Sequence, residues 1–139
     1  MSQSYSAAAT ALGGRSGFAS SSDGRLRVEL STPAALGGDD GPGTNPEQLF
    51  AAAYAASLLA AIRQIAAERG ITVPADSNVT ATIAIDRDGT DALKLTVALT
   101  ADIPCIDAAE AREIVDEAMR VCPIARATCE RVSATVNVD

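Results

Sequence analysis

One long apolar segment constrains the fold more than any other feature of this sequence. The letters N-P-E-Q at residues 45–48 are a strong helix start, because Asn caps, Pro tolerates the first helical position and Gln completes a capping box. We expect the helix to run to Arg69 and stop at Gly70, roughly 36 Å at about 1.5 Å per residue. Residues 49–61 are all apolar, small or Tyr except Ser57, which predicts burial all round. One small domain would struggle to cover such a helix, so a dimer is indicated.

Strand patterns of period two surround this helix and indicate an α+β class. The expected strands are residues 4–12, 25–31, 78–86, 92–101 and 131–139. Residues 25–31, just after Asp23-Gly24, are expected to be the second arm of one hairpin, and residues 78–86 and 92–101 are expected to form another. A second capping box at Asp107 opens an amphipathic helix that ends at Cys122-Pro123. The order β-β-α-β-β-α-β predicts antiparallel sheets in one domain, 1–139. The Gly- and Pro-rich loop at residues 31–44 is either functional or a solvated connector.

Charge and composition narrow the function. The net charge of -7, with 18 acidic and 11 basic residues, argues against a nucleic-acid partner. The absence of histidine excludes Ser-His-Asp and Cys-His chemistry and removes the commonest metal ligand. Three cysteines without a C-x-x-C pair fit neither a disulfide framework nor a zinc site. The cysteines suit a reducing cytoplasm, and neither a signal peptide nor a charge-free membrane span is recognisable, so we expect a cytoplasmic protein. We also expect neither a metal nor a cofactor.

Two polar side chains fall at positions of possible chemical interest. Ser57 can simply bond back to the carbonyl one turn earlier, and as a nucleophile it lacks a base. Cys122 lies at a helix C-terminus, where the dipole disfavours a thiolate, so reactivity would need a nearby cation or a partner sulfur. Otherwise Cys122 is an inert, buried small hydrophobe, as are Cys105 and Cys129.

Several motifs together resemble a known family. The run G-T-N-P-E-Q-L-F at residues 43–50, which continues to Ser57, and V-C-P at residues 121–123 closely resemble the organic hydroperoxide resistance (Ohr) branch of the OsmC-like family. Arg15, flanked by glycines, and Glu47, in the first helical turn, are weak signals alone but belong to the same pattern. The likeness covers nearly the whole chain, with further matching segments at residues 13–15, 22–24, 31–33, 36–38 and 73–76.

The resemblance implies a thiol peroxidase built as an intertwined homodimer, with the long helices at its centre and active sites at the subunit interface. In that family a peroxidatic cysteine attacks the O–O bond of an organic hydroperoxide and becomes a sulfenic acid. The cysteine of V-C-P, here Cys122, condenses with it to a disulfide, and a dithiol such as a lipoylated protein restores the pair. Arg15 and Glu47 match the positions that stabilise the thiolate. An apolar pocket then favours alkyl and lipid hydroperoxides over hydrogen peroxide.

The chain departs from the family at the peroxidatic position, which is Ser57. An alcohol ionises far less readily than a thiol and has no sulfur to oxidise, so the sulfenate step cannot occur there. Either a laboratory exchange removed the thiol, or this is a natural paralogue that lost it. Other departures favour the paralogue, because Leu58 and Ile124 stand where the family usually has aromatics and Cys129 stands where cysteine is unusual.

Three hypotheses follow. The first is an Ohr-like protein whose peroxidase activity is lost or impaired. The second is a binding module that holds an apolar or acidic-headed small molecule in the dimer-interface pocket, with Arg15 pairing with the head group; pocket occupancy after purification separates it from the first. The third is a relocated redox pair of Cys122 and Cys129, whose spacing allows proximity without requiring it.

Overall fold

Two structural units make up the chain, Met1–Leu49 and Phe50–Asp139. The computed structural model describes residues 4–87, 89–90, 92–128 and 133–139. The expectation of one domain over residues 1–139 stays a prediction.

The N-terminal unit holds a three-stranded antiparallel sheet. Its strands, in the spatial order of the chain, are β1 (Ala9–Leu12), β2 (Phe18–Ser21) and β3 (Arg27–Glu29). Leu12 pairs with Phe18 in register, and both are exposed, as are the other three residues of β1. The sequence pattern missed β2, because Phe-Ala-Ser-Ser does not alternate between apolar and polar residues. The expected arm at residues 25–31 is correspondingly shorter and pairs with β2 rather than directly with β1.

The loop at residues 31–44 is closed at its base. Leu30 and Thr44 form an isolated parallel bridge. The Thr44 amide donates to the Glu29 carbonyl, and the Ser31 amide donates to the Thr44 carbonyl, both at 2.9 Å. The Ser31 hydroxyl accepts from the Gly43 amide at 2.8 Å. These bonds fix the chain where it enters the next helix, whichever of the two roles the loop has.

Helix α1 (Pro46–Glu68) begins where its capping residues predict and ends one residue before the predicted end at Arg69. Asn45 Oδ1 accepts from the Gln48 amide at 2.9 Å, which confirms the N-cap. In a full capping box the Gln48 side chain would also accept from the Asn45 amide. Here Gln48 Oε1 accepts from the Thr44 hydroxyl instead. Gly70, with φ of 73°, ends the helix in a Schellman motif, because the amide after it donates to the Ala66 carbonyl at 2.8 Å.

A single chain buries only one face of α1, in line with the expectation that one small domain cannot cover this helix. Its apolar face is buried in the core of the C-terminal unit, with Tyr54, Leu58 and Ile62 almost completely enclosed. Within residues 49–61 of a single chain, the exposed residues are the alanines at positions 52, 53, 56 and 60. One chain therefore encloses the helix on one side, and its burial all round, which requires a second copy, stays a prediction. By length and composition α1 could also cross a membrane, with a mean hydropathy of 1.5, a test that core helices of soluble proteins pass too.

The C-terminal unit also contains a three-stranded sheet with two helices. Strands β4 (Asn78–Arg87) and β5 (Leu93–Asp102) pair antiparallel as expected, and β6 (Ser133–Val138) joins the other edge of β5. The pairing of β5 with β6 is parallel, unlike the expected antiparallel sheets. Helices lie between these two strands in the chain, and such a crossover returns the chain in the same direction.

Helices α2 (Ala108–Val121) and α3 (Pro123–Thr128) form that crossover. Asp107 caps α2 by accepting from two backbone amides, as predicted. The sequence correctly ended α2 before Pro123 but did not anticipate α3, which begins at that proline, a position that proline tolerates because no amide donor is needed. The expected start of the last strand, at residues 131–132, lies outside the described residues.

Candidate functional site

The hydroxyl of Ser57 and the thiol of Cys122 are in contact. Ser57 Oγ lies 3.4 Å from Cys122 Sγ, and either atom can be the donor. Cys122 is fully buried, whereas Ser57 is half-buried. The contact joins α1 to the junction of α2 and α3, across 65 residues of sequence. The Ser57 hydroxyl thus contacts a thiol, whereas the sequence also allowed a bond back to the carbonyl one turn earlier.

The backbone of Cys122 is fixed on both sides. Its amide donates to the Ala118 carbonyl at 2.8 Å, and its carbonyl accepts from the Arg126 amide at 3.0 Å. Its φ and ψ of -62° and 121° are extended, as expected for a residue that precedes proline. The thiol is therefore held at a break between two helices, and its direction towards Ser57 is set by hydrogen-bonded main chain.

The surroundings of Ser57 on α1 carry no charge. Residues three and four positions away share its face of the helix, and these are Ala53, Tyr54, Ala60 and Ala61. Tyr54 and Ala61 are buried, whereas Ala53 and Ala60 are exposed within the single chain. Phe50 packs on Tyr54 with ring centroids 6.0 Å apart. On this helix, the hydroxyl is set among methyl groups and one aromatic ring.

A second pair, Arg15 with Glu47, lies in the N-terminal unit. The two Arg15 Nη atoms donate to the two Glu47 carboxylate oxygens at 3.0 and 2.6 Å, a bidentate geometry that is among the strongest arginine–carboxylate contacts. The Arg15 side chain is 38% exposed and that of Glu47 is 17% exposed. The hydrogen bond from Arg15 lowers the pKa of Glu47 below its ordinary value, against the opposing effect of burial. The same bond raises the pKa of Arg15.

Local backbone geometry presents this arginine. Arg15 lies in a short 3-10 turn, Gly14–Ser16, between β1 and β2. The turn is tight because Gly17 approaches the end of β1, and a Cβ on Gly17 would lie 1.7 Å from the Leu12 carbonyl oxygen. Gly17 thus supports the position of Arg15, a role that the sequence did not predict for it. The one indication in the sequence is the glycine-rich run around Arg15. Glu47 is positioned by the first turn of α1, where the helix dipole also favours a carboxylate.

The structure thus groups the four expected site residues as two pairs, Arg15 with Glu47 and Ser57 with Cys122. The expectation that Cys105 is buried is wrong, because this residue is exposed and has φ of 66°. Cys129 lies outside the described residues, so the relocated pair of Cys122 and Cys129 stays a prediction. Across the described part of the chain, no group of three or more His, Cys, Asp or Glu residues is arranged to hold a metal ion.

Comparisons of the sequence with known proteins agree with one another. A sequence model of the family described as OsmC-like protein matches residues 37–137. The organic hydroperoxide resistance protein of Xanthomonas axonopodis pv. citri is 41% identical over 134 residues, which cover 96% of this chain and 94% of that protein. The organic hydroperoxide resistance protein OhrB of Bacillus subtilis is 37% identical over 125 residues, covering 89% of this chain and 90% of that protein.

Solved structures are similar over almost the entire chain. A crystal structure from Legionella pneumophila, described as an organic hydroperoxide resistance protein OsmC, has a TM-score of 0.92 at 38% identity and covers 99% of both chains. A structure from Vibrio cholerae, described as a putative organic hydroperoxide resistance protein with captopril in one of its active sites, has a TM-score of 0.90 at 40% identity. It covers 99% of this chain and 94% of that chain.

Proposed function

Because this chain belongs to the OsmC-like family, in the branch of the organic hydroperoxide resistance proteins, we propose that it is a hydroperoxide-defence protein whose site lacks the reacting sulfur. The observation that carries the proposal is the 3.4 Å contact between Ser57 Oγ and Cys122 Sγ. The resemblance assigns the peroxidatic thiol to position 57 and the resolving thiol to position 122. A hydroxyl stands at the first position, in contact with the thiol at the second.

The chemistry of this pair accounts for a loss of activity. Reduction of a hydroperoxide by the family's route requires a thiolate that takes one oxygen atom and becomes a sulfenic acid, which the second thiol then attacks. Ser57 supplies neither a thiolate nor an oxidisable sulfur. The resolving position is retained and buried, so the chain keeps the second half of the cycle without the first. We expect peroxidase activity that is absent or very low.

The direct test is consumption of cumene hydroperoxide with dithiothreitol as the reductant. This chain is compared with Ser57→Cys and with the matched control Ser57→Ala, which removes the hydroxyl without supplying sulfur. Turnover by Ser57→Cys alone is the expected result. Equal turnover by the unaltered chain would refute the loss of activity, and no turnover by Ser57→Cys would refute the preserved scaffold.

The family resemblance further implies that Arg15, held by Glu47, supports ionisation of the residue at position 57. The bidentate contact between the two side chains supports this role, because an arginine fixed by a carboxylate keeps its orientation. Arg15→Ala added to Ser57→Cys is expected to raise the pKa of the new thiol and to reduce turnover at neutral pH. The pH dependence of iodoacetamide labelling reports that pKa directly. A thiol pKa that is unchanged by Arg15→Ala would refute this role.

The proposed substrates are organic rather than inorganic peroxides. The helix neighbours of Ser57 are alanines and a tyrosine, and such a surface favours a substrate with an alkyl or lipid chain. In Ser57→Cys, cumene hydroperoxide is expected to be reduced with a higher kcat/KM than hydrogen peroxide. The opposite preference would contradict an apolar substrate site.

A second candidate is a module that binds an apolar or acidic-headed small molecule without turning it over. The uncharged surroundings of Ser57 and the missing sulfur favour it. Against recognition of an acidic head group by Arg15, both Nη atoms of this arginine already donate to Glu47. Native mass spectrometry of the purified protein distinguishes the candidates, since retained ligand supports binding and an empty protein rescued by Ser57→Cys supports the first proposal.

We also propose that the chain forms a homodimer. The family resemblance implies a homodimer. The exposed alanines of α1 at positions 52, 53, 56 and 60, and the exposure of all of β1, leave apolar surface that a second copy can cover. Sedimentation equilibrium at micromolar concentration should give twice the chain mass of 14.1 kDa. A stable monomer would contradict the dimer.

We propose that the protein is located in the bacterial cytoplasm. For the thiol cycle that the family resemblance implies, the proposed reductant is a dithiol or a lipoylated protein. The relatives named above come from bacteria, and the two described cysteines are free, as a reducing compartment favours. A cell fractionation that places the protein outside the cytoplasm would contradict this location.

A further inference from the structure

We draw no further inference here: the strongest candidate, the threonine-rich outer face of the C-terminal sheet where Thr80 pairs with Thr100 and Thr82 with Ala98, carries nothing, because nothing in the structure shows what covers it.

Discussion

The Ser57→Cys substitution tests the geometry of the site independently of its activity. Ser57 Oγ is already 3.4 Å from Cys122 Sγ, and the longer C–S bond of cysteine carries the new sulfur further from its own backbone. A disulfide requires an S–S distance of about 2.05 Å. We therefore expect that residue 57, once it is a cysteine, forms a disulfide with Cys122 on mild oxidation, with only a small rotation of the side chains.

The size of the effect follows from the loop that this disulfide closes. A cross-link across 65 residues removes conformational entropy from the unfolded chain equivalent to about 4 kcal/mol, and measured values are typically about 2–4 kcal/mol. With an m-value of about 2 kcal/mol per molar urea, the unfolding midpoint of the oxidised variant should lie about 1–2 M above that of its reduced form.

The assay combines thiol counting with urea unfolding at one fixed protein concentration, because oligomerisation shifts apparent stability. The chain has three cysteines, so the denatured variant should yield four free thiols when reduced and two when oxidised. The matched control is Ser57→Cys combined with Cys122→Ala, which should form no internal disulfide and show no redox-dependent midpoint.

Two results would refute the reasoning. If four thiols persist after oxidation while the protein stays folded, residues 57 and 122 do not meet as the 3.4 Å contact requires. If the disulfide forms but lowers the urea midpoint, the native geometry has to be distorted to close it. In that case the stored strain exceeds the entropic gain.

Two further predictions concern the N-terminal unit. Glu47→Gln should lower the free energy of unfolding by about 0.2–1 kcal/mol at pH 7, as for partly exposed ion pairs. The folded pKa of Glu47 lies below its ordinary value of 4.5, so this difference should be present above pH 4.5 and disappear as the pH falls through the folded value. Urea unfolding curves that differ equally at pH 3 and pH 7 would contradict this prediction. Gly17→Ala should lower the free energy of unfolding by more than about 1 kcal/mol, because the new Cβ would clash with the Leu12 carbonyl and disturb the turn that carries Arg15. In the control Gly14→Ala, nothing lies within 4 Å of the new Cβ, so only the strain of the positive φ is expected. Equal thermal unfolding midpoints for Gly17→Ala and the unaltered chain would exclude the clash.

Local signals in the sequence predicted the helix boundaries well. Asn45, Gly70 and Asp107 each act through backbone bonds to near neighbours, so their effect can be read from a few residues. The strand β2 and the helix α3 lack such signals, since one has no alternation and the other follows a proline that also ends a helix. The apolar sequence of α1 predicted that one chain could not cover the helix. It did not identify which residues stay uncovered, the alanines at positions 52, 53, 56 and 60, because an apolar residue on the chain's own core and one on an exposed face look alike in sequence.

In the candidate site, too, local sequence features could be predicted whereas contacts between distant residues could not. Glu47 and Ser57 were singled out as members of a conspicuous helix, and Arg15 as part of a glycine-rich run. Their partners are far away in sequence, because Arg15 and Glu47 are 32 positions apart and Ser57 and Cys122 are 65 positions apart. No local pattern encodes such contacts, so only the family resemblance could associate these residues before the structure was known.

The parallel pairing of β5 with β6 bears on how the chain folds. Val97 pairs with Ala134 only after the intervening helices have brought the chain back along the sheet. Contacts so distant in sequence form late, because the entropy of closing the long loop is lost before the contacts stabilise the fold. The Arg112 guanidinium of α2 also donates to the Val136 carbonyl at 2.9 Å, so β6 docks on a surface that α2 helps to provide. We expect α2 to be seated before β6 is added, which places Cys122 early in folding and leaves the closing strand as the last element to be protected from hydrogen exchange.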